Sequence, residues 1–265
     1  MIPYGRQNIN QADIDAVVEV LKSDFLTQGP KVEEFEAKLC NIVNAKYACV
    51  TNNATSALHI ACLALGINNK SLVWTTPNTF VATANCARYC DATIDFVDID
   101  EDTYNLCPIK LKQKLLEHEK LDKQLPDVVI PVHFSGQSCD MEAIHQLSIE
   151  FGFAIIEDAS HAIGAKYKNH PVGSCYYSDI TVFSFHPVKI ITTGEGGVAL
   201  TKDIKLHEKL TLLRSHSVTR DQSIQITPNN NSWYYEQIGL GFNYRMTDIQ
   251  AALGLSQLNR LKSSI

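Results

Sequence analysis

A chain of 265 residues, 45% of them hydrophobic, can bury one substantial core, so a single large domain is expected. Lys and Arg number 23 against 29 Asp and Glu, a formal charge of -6 with no basic run, which argues against nucleic acid as a partner. The opening MIPYGRQNINQADID lacks a charged and then apolar leader, and no later window is long and apolar enough to span a membrane, so a cytoplasmic protein is expected.

In chain order, segments of helical period alternate with short β-branched runs, the pattern of an α/β fold with a mostly parallel sheet and helices on both faces. A first helix is expected from Gln11 to Ser23, capped by Asn10, with Ile14, Val17, Val18 and Leu21 as its apolar face. Gly29-Pro30 breaks the chain before a second helix through Val32, Phe35 and Leu39. Tyr47 to Thr51 then reads as a strand, Thr55 to Leu65 as a helix closed by Gly66, and Leu72 to Thr75 as a strand. A helix through Ala82 to Tyr89, a strand at Ile94 to Val97 and a helix around Ile109 to Leu121 follow. Asp127 to Phe134 and Phe153 to Asp158 are near-continuous apolar runs suited to strands covered on both faces, with a helix from Met141 to Phe151 between them. The chain closes on a helical pattern, MTDIQAALGLSQLNRLK.

Eight cysteines lie among apolar neighbours without a CxxC pair or zinc-like spacing, so reduced, mostly buried thiols are expected. Cys86 and Cys90 share a helix face but have no His or carboxylate at ligand spacing, and no metal site is expected there.

Three segments point to chemistry. In SDITVFSFHPVKIITTGEGG a strand-like run leads to Lys189, flanked by Val188 and Ile190 and followed by a glycine-rich turn. Desolvation disfavours an ammonium ion, lowers the lysine pKa and frees the amine to attack a carbonyl, which is what a Schiff-base lysine needs. A lysine that snorkels to water from a loop is the other reading of the same flanks. In FAIIEDASHA an apolar strand ends at Glu157-Asp158, and ligands of open α/β sheets lie beyond the carboxyl ends of the strands. A carboxylate there can keep a pyridine nitrogen protonated so that the ring accepts electrons, a role open to Asp158, although a strand-end Asp also serves as a turn or cap. In YACVTNNATSALHIACLALG the small and polar residues from Asn52 to Ser56 leave the first amides of a helix open to a phosphate, or simply cap it. The three follow one another in chain order, and their co-occurrence favours the chemical reading of each.

With NNATSALHIA, TTPNTFVATANC, EDASHAIGA, FSFHPVKIITTGEGG and IGLGFNYRMTDIQAALGLSQL, the chain resembles the DegT/StrS sugar-nucleotide aminotransferases, fold-type I pyridoxal-phosphate (PLP) enzymes, along nearly its whole length. The resemblance implies that Lys189 holds the cofactor covalently, Asp158 pairs with the pyridine nitrogen and Phe80 stacks on the ring. It also implies that Ala54, Thr55 and Ser184 contact the phosphate and active site, and that Asn243 reaches the site of a neighbouring subunit in a homodimer. His161 stands beside the cofactor hydroxyl where many relatives carry Gln, in a structural or a catalytic role. The opening segment is similar to the branch acting on a UDP-linked 4-keto-6-deoxy-N-acetylhexosamine on the route to pseudaminic acid, with glutamate as donor. There Tyr4, Asp24, Phe25, Leu26 and Thr27, together with Ala54, Ser184 and Asn243, would line the sugar-nucleotide site. Residues 1–265 would form the PLP-binding large domain with its N-terminal helical segment, the small C-terminal domain of relatives being absent or truncated.

Three rivals are weighed against this expectation. A sugar dehydratase of the same fold carries His in place of the lysine, whereas Lys189 is present. A nicotinamide-dependent oxidoreductase needs a GxGxxG in its first strand-to-helix turn, which is missing, and GEGG follows the lysine in the wrong context. An inactive or regulatory fragment of such an aminotransferase is the third, and within the resemblance an aminotransferase on a different nucleotide-linked keto sugar is the alternative substrate reading.

Overall fold

The computed structural model describes residues 5–227, 229 and 231–265; Tyr4 lies outside them. Helix α1 (Gln11–Leu21) opens on a capping box in which Asn10 and Asp13 exchange side-chain and backbone hydrogen bonds. Helix α2 (Pro30–Val43) has Pro in its first turn, where no N–H is missed, and ends at left-handed Asn44. Strand β1 (Tyr47–Thr51) runs into helix α3 (Ala54–Ala64), capped by Asn53. Next come β2 (Leu72–Thr75), α4 (Val81–Tyr89), β3 (Thr93–Phe96), α5 (Pro108–Lys120), β4 (Val128–Ile130), α6 (Met141–Phe151) and β5 (Ala154–Asp158). A small hairpin of β6 (Lys166–Tyr167) and β7 (His170–Pro171) precedes β8 (Ile180–Ser184), β9 (Gly197–Thr201) and α7 (Ile204–Arg214). A second hairpin, β10 (Val218–Thr219) with β11 (Glu236–Gln237), leads to α8 (Asp248–Leu258) and the short α9 (Leu261–Ser264).

Seven strands form one sheet in the order β1-β9-β8-β5-β4-β2-β3. All adjacent pairs are parallel except those made by β9, which runs antiparallel to both β1 and β8. The sheet is therefore mostly parallel, as the alternation of segments implied. Strand alternation sends Cys49, Val73, Ile130, Ile156, Val182 and Ala199 to one face, where they pack with α3 and α4. The intervening Val50, Trp74, Val129, Ile155, Phe183 and Leu200 supply the other face, under α2 and α8 at one end and α5 and α6 at the other. Because Ile155 and Ile156 face opposite ways, so do Glu157 and Asp158.

Two expectations are corrected. The buried positions of α1 are Asp13 and Val20, while Ile14, Val18 and Leu21 are exposed. A polar anchor turns the helix: Asp13 accepts hydrogen bonds from Ser256, Gln257 and Arg260 on and beside α8, and that clamp outweighs the apolar stripe. The strand expected from Asp127 to Phe134 is only Val128–Ile130: Pro131 has no N–H for the ladder, and after one more bridge, Val132 with Asp158, the chain leaves the sheet at His133 and enters a 3-10 turn at 134–136. Seven of the eight cysteines are buried, in line with the thiol expectation.

Candidate active site

The carboxyl ends of β1, β5 and β8 bring the predicted groups together. Asp158, 4% exposed, closes β5 and turns toward α4. Its Oδ2 accepts from Thr83 Oγ1 at 2.6 Å, and its Oδ1 from Ser160 Oγ at 2.6 Å and Ser160 N–H at 3.2 Å. Three hydrogen bonds from neutral donors and, among the described residues, no directly bonded cation hold the carboxylate in place. Thr83 stands one turn after Phe80, whose carbonyl accepts the Thr83 N–H at 3.1 Å, so Phe80 is at the same end of α4. Phe80 is 75% exposed.

Lys189 sits in the turn after β8, half-buried, with its N–H donated to the His186 carbonyl at 2.9 Å. Burial draws its ammonium pKa below the ordinary lysine value, and the Asp158 carboxylate opposes the shift without cancelling it. The His161 imidazole is also pushed down, first by burial and then by the charge on Lys189, with Asp158 again opposing. Lys189, Asp158 and His161 therefore lie within Coulombic reach of one another.

The phosphate-seat candidate reaches this group through a glycine. Register pairs Gly197 with Thr51 on one side and with Ser184 on the other. A Cβ on Gly197 would fall 2.6 Å from the Ala54 backbone, so only glycine lets the start of α3 settle against β9 beside Ser184. At that start Asn53 takes the Ser56 N–H at 2.8 Å, and the Ala54 and Thr55 N–H groups have no partner among the described residues. Two open amides at the positive end of an eleven-residue helix suit a phosphate.

Other predicted residues stand apart. Asp24, Phe25, Leu26 and Thr27 are exposed, and among the described residues no hydrogen bond joins them to Asp158 or Lys189. Thr27 lines a different cavity, of about 300 Å³, with Glu36, Arg214 and Arg245. Asn243 is exposed, and among the described residues its side chain makes no hydrogen bond; its neighbours Phe242 and Tyr244 stack on each other at 4.9 Å and pack near His59. Sequence reasoning passed over Thr83, Ser160 and Gly197. Ser160 had a signal in the Asp-x-Ser turn of DAS and Thr83 in the i, i+3 spacing from Phe80, whereas Gly197 acquires its role only from strand register.

This sheet, with its antiparallel seventh strand and its ligand end at β1, β5 and β8, is that of the PLP-dependent transferases of fold type I. Residues 7–265 match the model of the DegT/DnrJ/EryC1/StrS aminotransferase family, and the chain belongs to that family. It is 43% identical over 267 residues to UDP-4-amino-4,6-dideoxy-N-acetyl-beta-L-altrosamine transaminase of Campylobacter jejuni, covering 100% of this chain and 66% of that protein. It is 41% identical to the spore coat polysaccharide biosynthesis protein SpsC of Bacillus subtilis, covering 98% of this chain and 64% of the relative. Among solved structures it superposes on Helicobacter pylori PseC, an aminotransferase involved in the biosynthesis of pseudoaminic acid, with a TM-score of 0.86, 35% identity and coverage of 98% and 66%. The PLP form of the putative sugar aminotransferase Spr1654 from Streptococcus pneumoniae gives a TM-score of 0.85 at 30% identity, covering 99% and 67%. The chain thus spans 66% of the length of the Campylobacter relative.

Proposed function

We propose that the protein is a PLP-dependent aminotransferase that moves an amino group from glutamate to the C4 keto group of a UDP-linked 4-keto-6-deoxy-N-acetylhexosamine. One observation carries the reading: a half-buried lysine with a lowered pKa lies within electrostatic reach of a buried, hydrogen-bonded aspartate at the ligand end of the sheet. The residues fit the cofactor. The open amides of Ala54 and Thr55 with Ser184 would hold its phosphate, Asp158 its ring nitrogen, Lys189 its aldehyde carbon, and Phe80 and His161 would flank the ring.

When bound, PLP supplies an aldehyde for amines and a ring that takes up electrons from the carbon beside nitrogen. Asp158, oriented by Thr83 and Ser160, holds a proton at the ring nitrogen. Lys189, whose ammonium pKa burial lowers, would take the proton from the donor carbon and return it to the carbon on the other side of the nitrogen. By the family resemblance Asp24 to Thr27 with Tyr4, although apart from Asp158 and Lys189 within one chain, would bind the sugar nucleotide, and Asn243 would complete the site of a second subunit in a homodimer. The substrate rests on the likeness to the Campylobacter transaminase and to PseC, and glutamate as donor on the family resemblance alone. A cytoplasmic location belongs to the same reading; no helix of the described residues is long and apolar enough to cross a membrane.

The test is borohydride reduction of the protein mixed with PLP, followed by peptide mapping. Lys189 is expected to carry the pyridoxyl group, and Lys189→Ala to lose both the label and all transamination. A label on another lysine, or a Lys189→Ala protein with unchanged turnover, overturns the proposal.

A further inference from the structure

Next to Asp158, on the opposite face of β5, lies a second buried carboxylate that the chemistry above does not use. Glu157 is 5% exposed and accepts hydrogen bonds at both oxygens. Oε1 takes the hydroxyls of Ser178 and of Thr181, the latter at 2.9 Å, and Oε2 meets His133 Nε2 at 2.7 Å. The fully buried His133 ring holds Nδ1 3.2 Å from the Cys139 N–H, which can donate only to a nitrogen without a proton. Although burial draws the imidazole pKa down and Cys139 and the Glu157 carboxylate raise it to about 10, this geometry leaves a single ring proton, on Nε2 and donated to Glu157. Burial pushes the Glu157 carboxyl up, but the His133 imidazole, by its hydrogen bond and its charge when protonated, and then the Ser178 and Thr181 hydroxyls outweigh it and hold the group below its ordinary value.

His133 is where β4 leaves the sheet. Its N–H donates to the Asp158 carbonyl at 3.0 Å, and the Asp158 N–H donates to the Pro131 carbonyl at 2.9 Å, so the last rungs of the β4–β5 ladder are made by Asp158 itself. From His133 the chain turns through residues 134–136, and the imidazole bridges the start of this turn to its end at Cys139. Buried Asn105 holds the same turn from outside, accepting the Phe134 N–H at 2.9 Å and donating to the Gln137 carbonyl at 3.1 Å. The turn underlies the candidate site: a Cβ on Gly136 would stand 2.8 Å from the His161 carbonyl oxygen. Gly136 has a φ of +88°, so both its conformation and its contact require glycine.

We infer that Glu157 is a positioning residue for the site: through the imidazole of His133 it fixes the end of β5 and the turn beneath His161, and so sets where Asp158 and His161 meet the cofactor ring. The inference rests on the PLP reading. Removing the Glu157 carboxylate strands the buried His133 Nε2–H, and the freed ring releases the Cys139 end of the turn. Gln in its place keeps the clamp, with the amide oxygen toward His133 and the amide N–H groups toward the hydroxyls of Ser178 and Thr181, which can rotate to accept.

The experiment titrates the cofactor-free protein and its Glu157→Ala and Glu157→Gln variants with PLP, reading affinity from absorbance and ring orientation from visible circular dichroism. Glu157→Ala is expected to weaken binding about tenfold and to change the visible dichroism, and Glu157→Gln to stay within about twofold of the parent. A folded Glu157→Ala protein with the parent's affinity and dichroism overturns the inference, as does Glu157→Gln losing as much as Ala. If Glu157→Ala does not fold, nitrogen-15 NMR of the His133 ring in the cofactor-free parent decides: a single proton on Nε2 is expected, and a proton on Nδ1 refutes the clamp. A parent that takes up no PLP at all defeats the functional reading instead, so the two failures are separable.

Discussion

Two buried aspartates stand at element junctions of this chain, and they are satisfied in different ways. Asp13, 1% exposed, joins α1 to α8; its carboxylate is in direct contact with the Arg260 guanidinium and also accepts from Gln257, Ser256 and the Asn10 backbone. Among the described residues Asp158, 4% exposed, is held by the neutral donors Thr83 and Ser160, with Lys189 as a nearby rather than a bonded cation. A carboxylate with a bonded cation and every acceptor engaged has little left to offer a ligand, and its role is to lock two helices together. A carboxylate oriented by neutral groups keeps its charge for whatever enters the site. Saturation, more than burial, separates the structural acid from the candidate functional one.

The contrast can be broken by exchanging the consequences of substitution. Asp158→Asn should lower turnover by a factor on the order of 100 to 1,000 while leaving the urea midpoint nearly unchanged, since Thr83 and Ser160 can still pair with the amide. Equal losses in turnover and stability would erase the distinction. Arg260→Ala should do the reverse: it leaves Asp13 buried without its cation and should cost about 3 kcal/mol in equilibrium urea unfolding, with turnover per folded molecule preserved. Thr83→Val is the finest test, because it removes one of three hydrogen bonds on Asp158 and keeps the shape of the side chain. A loss of about 1 kcal/mol, or roughly fivefold in turnover, is expected. Steady-state kinetics that show no change would mean that Ser160 alone orients the carboxylate.

Much of the candidate site was legible because the residues proposed for its chemistry are each marked locally in sequence. Lys189 between Val188 and Ile190, Asp158 at the end of an apolar run and the Asn52 to Ser56 junction each carry their signal in a few adjacent residues. The sheet was legible for a similar reason, since β5 and β8 are fully or nearly fully buried runs bounded by turns. The failures share a cause as well. The apolar stripe of Ile14, Val18 and Leu21 predicted the wrong face of α1, because the winning interaction is with residues more than 240 positions away. Glu157 looked like the lesser half of an acidic pair until His133, 24 positions earlier, was found against it.

The sequence by itself determined the alternation of strands and helices, the family, and the lysine and aspartate proposed for the chemistry, since periodicity and short motifs act through neighbours along the chain. Only the tertiary structure decided that Gly197 must be glycine to admit Ala54, that Thr83 and Ser160 orient Asp158, and that Asp13 rather than an apolar stripe docks α1. The physical reason is that steric exclusion and hydrogen bonding act over a few ångströms in space, and strand register and helix docking choose which distant residues come that close.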